Sequence, residues 1–223
     1  MGNEIMKLGR IPTRVGAMLF VVLFVIYANP TLVAATFGGS DTPSYDVSSG
    51  SGGEYDIVRA NSANGVCEIR VKEKSWPASY PDDYVGYAYV GVEFVPTEDI
   101  GNNWKLMASW DLEYELKANW WSCIRIDVVH SVRDENYNRL WPSQSKYSVE
   151  LASTGIFYES TGADYSGSTT AQWGIDLDEG ETYYFCIELL ITVVNGGAVF
   201  ATSYYDSDDP VSLTVNSISW SYL

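Results

Sequence analysis

The chain has 223 residues, with 13 Lys and Arg against 29 Asp and Glu and a formal net charge of −16. Such a surface repels nucleic acid, whose binding depends on Lys and Arg neutralising phosphates. Its 46% apolar content, with 17 Tyr and 8 Trp, excludes a disordered chain, and its length fits one sizeable domain.

Residues 1–35 have the layout of a secretory signal peptide. Lys7, Arg10 and Arg14 form a basic start, residues 15–28 an uncharged apolar run, and Val33 and Ala35 the small residues before a cleavage site at Thr36. The run falls short of the roughly 20 residues that span a bilayer, and no later run is long enough. A secreted chain with no membrane partner after cleavage is therefore expected. The signal holds Lys7, Arg10 and Arg14 against Glu4, which leaves 10 basic and 28 acidic residues, net −18, in the mature chain.

A short leader follows, "TFGGSDTPSYDVSS", and then a Gly/Ser tether at residues 50–53. A flexible link behind a short peptide with strand character suggests β-augmentation in trans, in which the leader fills an open edge in a neighbouring copy. Phe37, Tyr45 and Val47 are its candidate anchors. Head-to-tail donation does not close on itself and so builds filaments or tubes.

From residue 54 onward the chain reads as strands with period-two alternation. "SWDLEYELK" sets Trp110, Leu112, Tyr114 and Leu116 on one face and Asp111, Glu113, Glu115 and Lys117 on the other. In "SCIRIDVVHSV", Ile124, Ile126, Val128 and His130 share a face. "DYVGYAYVGVEFV" fits a strand buried on both faces, and "EDIGNNWKL" one short turn. "YYFCIELLITVV", "NGG" and "AVFATSYY" read as a hairpin. In the last strand, "PVSLTVNSISWSYL", the apolar phase shifts between Val215 and Ile218, the mark of a bulge. The fold class expected is all-β, a single β-sandwich or jelly roll over 54–223 with a flexible N-terminal extension.

"LDEGETYYFC" resembles the turn into a late strand of immunoglobulin-like sandwiches, where a Tyr lies two residues before a Cys, here Tyr184 and Cys186; the resemblance implies that Gly180 makes the turn and that this Tyr pins the corner. That resemblance makes Cys123–Cys186 the preferred disulfide, with Cys67 as a competitor for either partner. Three cysteines leave one thiol over.

The chemistry expected is not catalysis. The sole histidine, His130, lies on an apolar face, where a core role outweighs a catalytic one. No G-x-S-x-G, H-E-x-x-H or phosphate-loop motif occurs. Glu113 and Glu115 read as a solvated face, and the chain reads as a non-enzyme. Loop carboxylates are hard ligands of the kind Ca²⁺ takes. "DLDEGE" and "YDSDDP" supply Asp176, Asp178, Glu181, Asp206, Asp208 and Asp209 as the candidate metal set. The adjacent Trp120 and Trp121 support a second reading, a secreted carbohydrate-binding module or adhesin with stacking platforms.

"ATFGGSDT" (residues 35–42), together with a signal peptide ahead of it and a Tyr-rich acidic sandwich behind, resembles secreted filament subunits. These are the TasA/camelysin-like fibre proteins, the archaeal bundling pili and the archaeal cannula proteins. The TasA-like group carries a phrase similar to "TYAFFSDT", from which this chain departs at Gly38 and Gly39. The resemblance implies a jelly-roll-like subunit, donor-strand assembly into a homopolymer and, for the cannula group, Ca²⁺ at subunit contacts.

Overall fold

The computed structural model describes residues 37–51, 55–73, 84–119, 121–140, 142–194, 199–203 and 208–223. The signal segment, Trp120, Asp206, Gly52 and Gly53 lie outside them. The compact unit runs from Phe37 to Leu223. Its strands are β1 (Gly38–Asp41), β2 (Tyr45–Ser51), β3 (Tyr55–Asn61), β4 (Val66–Glu73), β5 (Tyr84–Phe94), β6 (Trp104–Ala118), β7 (Cys123–Arg133), β8 (Gln144–Ala152), β9 (Glu159–Trp173), β10 (Tyr183–Val194), β11 (Val199–Thr202) and β12 (Val211–Tyr222). A single 3₁₀ turn, Ser62–Asn64, interrupts them among the described residues.

The strands form two antiparallel sheets. In the first, of seven strands, β12 pairs with β1, β4 and β6; β11 bridges β4 and β6; β9 lies beyond β6 and β3 beyond β4. The second runs β2-β5-β10-β7-β8. The alternation read in the sequence drives this. Trp104, Leu106, Trp110, Leu112 and Leu116 from β6 are buried and meet Ile124, Ile126, Val128, Phe185, Ile187 and Leu189 from the second sheet. Each such side chain contributes about 1.5 to 3 kcal/mol of burial energy. The bulge in β12 is present, as a register shift between Val215 and Ser217.

Three expectations are corrected here. "NGG" does not close a hairpin, because β10 pairs with β5 and β7 in the second sheet whereas β11 pairs with β4 and β6 in the first. The tyrosine that pins the Gly180 turn is Tyr183, whose hydroxyl accepts the Asp178 N–H at 2.9 Å, while Tyr184 points to the opposite face. Gly180 itself takes φ +79° and donates its N–H to the Pro96 carbonyl.

The third correction concerns the disulfide: all three cysteines are free thiols. Cys186 pairs with Ser131 and Val194 with Cys123, so the two cysteines stand eight residues apart along β7. That is about 26 Å, where a disulfide needs Cα atoms within about 7 Å. Burial pushes the Cys67 and Cys186 thiols well above their ordinary range, so both stay protonated.

Candidate functional site

The leader is folded into its own body rather than free. β1 adds to the first sheet, with Gly38 opposite Ser221 and Asp41 opposite Ile218. β2 adds to the edge of the second sheet, with Tyr45 opposite Gly91 and Ser51 opposite Val85. One 15-residue stretch, residues 37–51, therefore supplies a strand to each sheet.

Phe37 is buried against Phe94, Trp104 and Tyr222, with ring centroids 5.6, 5.8 and 5.1 Å away. The chain then crosses the sandwich edge at residues 42–44. Ser44 donates its N–H to the Gly91 carbonyl at 2.8 Å, and the Asp46 carboxylate accepts the Ser62 N–H at 2.7 Å.

Tyr45 enters an aromatic box on the outer face of the second sheet. It stacks on Tyr137 at 4.9 Å and 11°, and meets Tyr184 at 4.6 Å and Tyr89 at 6.2 Å. Val47 and Tyr87 flank Tyr89, Tyr184 and Cys186. Burial, then the neighbouring Tyr89, pushes the Tyr45 phenol far above its ordinary range.

Beneath the box lies a buried ion cluster. Glu188 is fully buried and accepts from Arg133 Nη2 at 2.7 Å, from Arg139 and from Ser131. Arg133 also lies 4.1 Å from the Tyr89 ring centroid and donates to the Tyr137 carbonyl at 2.9 Å. The loop carrying Tyr137 is fastened by Asp134, whose carboxylate accepts the N–H groups of Asn136 and Asn138. A carboxylate buried on the outer face of a sheet needs a cover; the Tyr89 ring lies against the Arg133 guanidinium of this cluster, and Tyr45 packs on Tyr89.

None of Tyr89, Tyr137, Tyr184, Arg133, Arg139 or Glu188 was singled out from the sequence for this site. One signal was present. Glu188 interrupts the apolar run of β10 in phase with Tyr184 and Cys186, and a charge inside such a run calls for a partner on a neighbouring strand.

His130 is fully buried between the sheets, its Nε2 2.7 Å from the Thr169 hydroxyl, which also accepts Trp110 Nε1–H at 3.0 Å. Burial, and then Lys146, hold its pKa down at about 3, so the ring is neutral.

The acidic set is divided. Asp176, Asp178 and Glu181 sit in the loop after β9, where the Glu179 N–H donates to Asp99. Asp208 and Asp209 precede β12 at its other end, about 35 Å away, the Asp209 carbonyl accepting the Ser203 N–H. Among the described residues no three Asp, Glu, His or Cys side chains are grouped to hold a metal ion.

A second exposed feature lies where β6 turns into β7. Trp121 sits in that turn, not in a strand, at φ +60° and 62% exposed. The Ser153 N–H donates to the Ser122 carbonyl and brings up the loop bearing Ile156, Phe157 and Tyr158, all exposed.

No protein-family model and no curated protein matches the chain. Solved structures similar to it include TmCBM61 in complex with beta-1,4-galactotriose, at 14% identity, covering 81% of this chain and 90% of that one, with a TM-score of 0.22. The CBM22-1 xylan-binding domain from Paenibacillus barcinonensis Xyn10C matches at 7% identity over 82% and 85%, with a TM-score of 0.21. The enzymatically active domain of bacteriophage CBA120 tailspike protein 4 matches at 8% identity over 82% and 19%, with a TM-score of 0.22. Scores this low carry no argument about this chain.

Proposed function

We propose that the protein is a structural subunit of a secreted extracellular homopolymer, a filament or tube, in which the leader is exchanged between neighbouring copies. One observation carries this reading. The leader adds a strand to each sheet and seats Phe37 and Tyr45 in pockets of the body, yet only residues 52–54 join it to β3. Contacts made in this way within one chain can be made equally with the next copy, and exchange of an identical element is a low-cost route to assembly. The three-residue link spans at most about 14 Å between Ser51 and Tyr55, so donor and acceptor must meet at the corner where β2 ends and β3 begins.

Subunits with 18 excess negative charges repel one another within a Debye length of about 8 Å. Divalent cations, Ca²⁺ above all, would relieve this by bridging loop carboxylates of two copies, with Asp176, Asp178, Glu181, Asp206, Asp208 and Asp209 as the source. Electron microscopy of the mature chain tests both parts. Polymers are expected in millimolar Ca²⁺ and not from a variant lacking residues 36–47. Normal polymers from that variant would remove leader exchange, and equal assembly in excess chelator would remove the calcium bridge.

The second reading is a secreted carbohydrate-binding module or adhesin. Its support is the exposed Trp121, together with the exposed Ile156, Phe157 and Tyr158 on the loop that Ser153 ties to Ser122, since exposed aromatic faces stack on sugar rings. Sugar affinity lost in Trp121→Ala, in a chain that stays monomeric, would favour it.

A further inference from the structure

The slot that receives β1 is selective, and the selection rests on one missing side chain. Gly39 lies opposite Trp220 in the register of β1 with β12. Trp220 belongs to the inward face, where its ring meets Phe94 and Phe185, each at 5.4 Å between centroids. Its indole therefore lies directly over the leader backbone. A Cβ on Gly39 would stand 2.6 Å and 2.9 Å from two indole carbons, inside the contact distance of any real side chain. Phe94 and Phe185 brace the indole, so it cannot move away without disturbing the pocket that Phe37 shares.

The neighbouring glycine is an internal control. A Cβ on Gly38 would meet nothing closer than the Trp220 carbonyl at 3.5 Å, an ordinary contact. Side chains of successive strand residues point to opposite faces, so Phe37 and Gly39 address the body while Gly38 faces away. A slip of one residue would turn Phe37 off the inward face, and a slip of two would force a side chain under the indole.

We infer that this slot is a sequence-selective peptide receptor whose ligand is an extended strand with an aromatic residue, any residue, then glycine, and that Gly39 and Trp220 form the gate that sets its register. This rests on leader exchange for its biological occupant, a second copy's leader, but not for the recognition itself, which the single chain already performs. Specificity comes from excluding the wrong strand by clash as much as from holding the right one. An exposed strand of another secreted protein lacking that glycine is turned away, which keeps the open slot from capturing foreign edges.

The test uses the full mature chain, dilute enough to stay monomeric, with amide hydrogen exchange read at residues 38–41 and, as reference, along β10. Gly39→Val is expected to speed exchange in the leader at least about tenfold, with β10 little changed. Gly38→Val, the same side chain one residue away, is expected to stay within about twofold of the parent. In a Trp220→Ala chain the step from Gly39 to Val is expected to cost less than about twofold, because the clash has gone. If Val also loosens β10, Gly39→Ala and Gly38→Ala replace the pair. Equal damage from the two glycine substitutions, or a Gly39 effect undiminished in the Trp220→Ala background, overturns the inference. Neither result depends on polymerisation. Failure to polymerise with the gate intact counts against exchange alone, and loss of the gate counts against this inference alone.

Discussion

The two faces of the second sheet are built on different rules. The inner face is lined by apolar side chains such as Phe185, Ile187, Leu189, Ile126 and Val128, with His130 buried among them. The outer face, which in a simple sandwich would carry solvated side chains, instead buries Glu188 with Arg133 and Ser131 under a layer of tyrosines. One of those tyrosines, Tyr45, arrives with the leader. The inner face is what any two-layer fold needs. The outer face is a specialised structure, and the part of its aromatic layer that comes with the leader, Tyr45 and Val47, is joined to the body by three residues.

The sharpest way to break the comparison is Glu188→Ala. It leaves Arg133 buried without its counter-charge, and a buried pair broken on one side costs about 3 to 5 kcal/mol. Urea unfolding should register the loss. A cost near zero would mean the cluster is solvated and the outer face ordinary.

Phe37→Ala probes the leader's apolar anchor. A buried Phe cut to Ala costs about 3 to 5 kcal/mol. Here the loss should fall on the leader, seen as faster amide exchange in β1 and β2 with β10 preserved. If β10 loosens equally, the leader and the body are one cooperative unit.

His130→Gln sharpens the inner-face half of the comparison. The neutral ring has a folded pKa of about 3, below the ordinary value near 6.5. Its stability contribution is present above pH 6.5 and is lost as pH falls toward 3, because the unfolded chain takes up the proton first. At pH 4.5 the loss is about 2 to 3 kcal/mol. The variant should lose less stability than the parent between pH 7 and 4.5, other carboxylates being common to both.

The smallest effect belongs to Tyr45→Phe. It keeps the stacked ring and removes one hydroxyl, a change of about 1 kcal/mol in leader affinity. Tyr45→Ala should cost clearly more. Equal effects would place the value of Tyr45 in its hydroxyl rather than its ring.

What the sequence revealed follows from how local each signal is. The inward face of β6, the buried face of His130 and the bulge after Val215 are set by alternation within one strand, and all were legible. The Asn-Gly-Gly segment after β10 misled, because turn-forming residues reveal where strands end and not whether the next joins the same sheet. Tyr183 and Tyr184 are adjacent, so only the register of β10 decides which faces the Gly180 turn. The Cys123–Cys186 pair failed for the same reason, since spacing along the chain carries no register. Phe37, Tyr45 and Val47 stood out in the leader sequence, but the residues they pack against within the chain come from β5, β6, β10 and β12 and the loop after β7. No single stretch of sequence contains that groove.

The most direct test of leader exchange is a mixing experiment. Chains labelled with heavy and light isotopes, each carrying Ser49→Cys and Tyr87→Cys at positions that are register partners of β2 and β5, are polymerised together in Ca²⁺ and oxidised. Peptide mass spectrometry then reads which chain each half of the 49–87 disulfide came from. Exchange predicts heavy–light links at the frequency of random pairing. Links that stay wholly heavy–heavy and light–light within assembled polymer would mean that each leader remains in its own body, and would contradict the account.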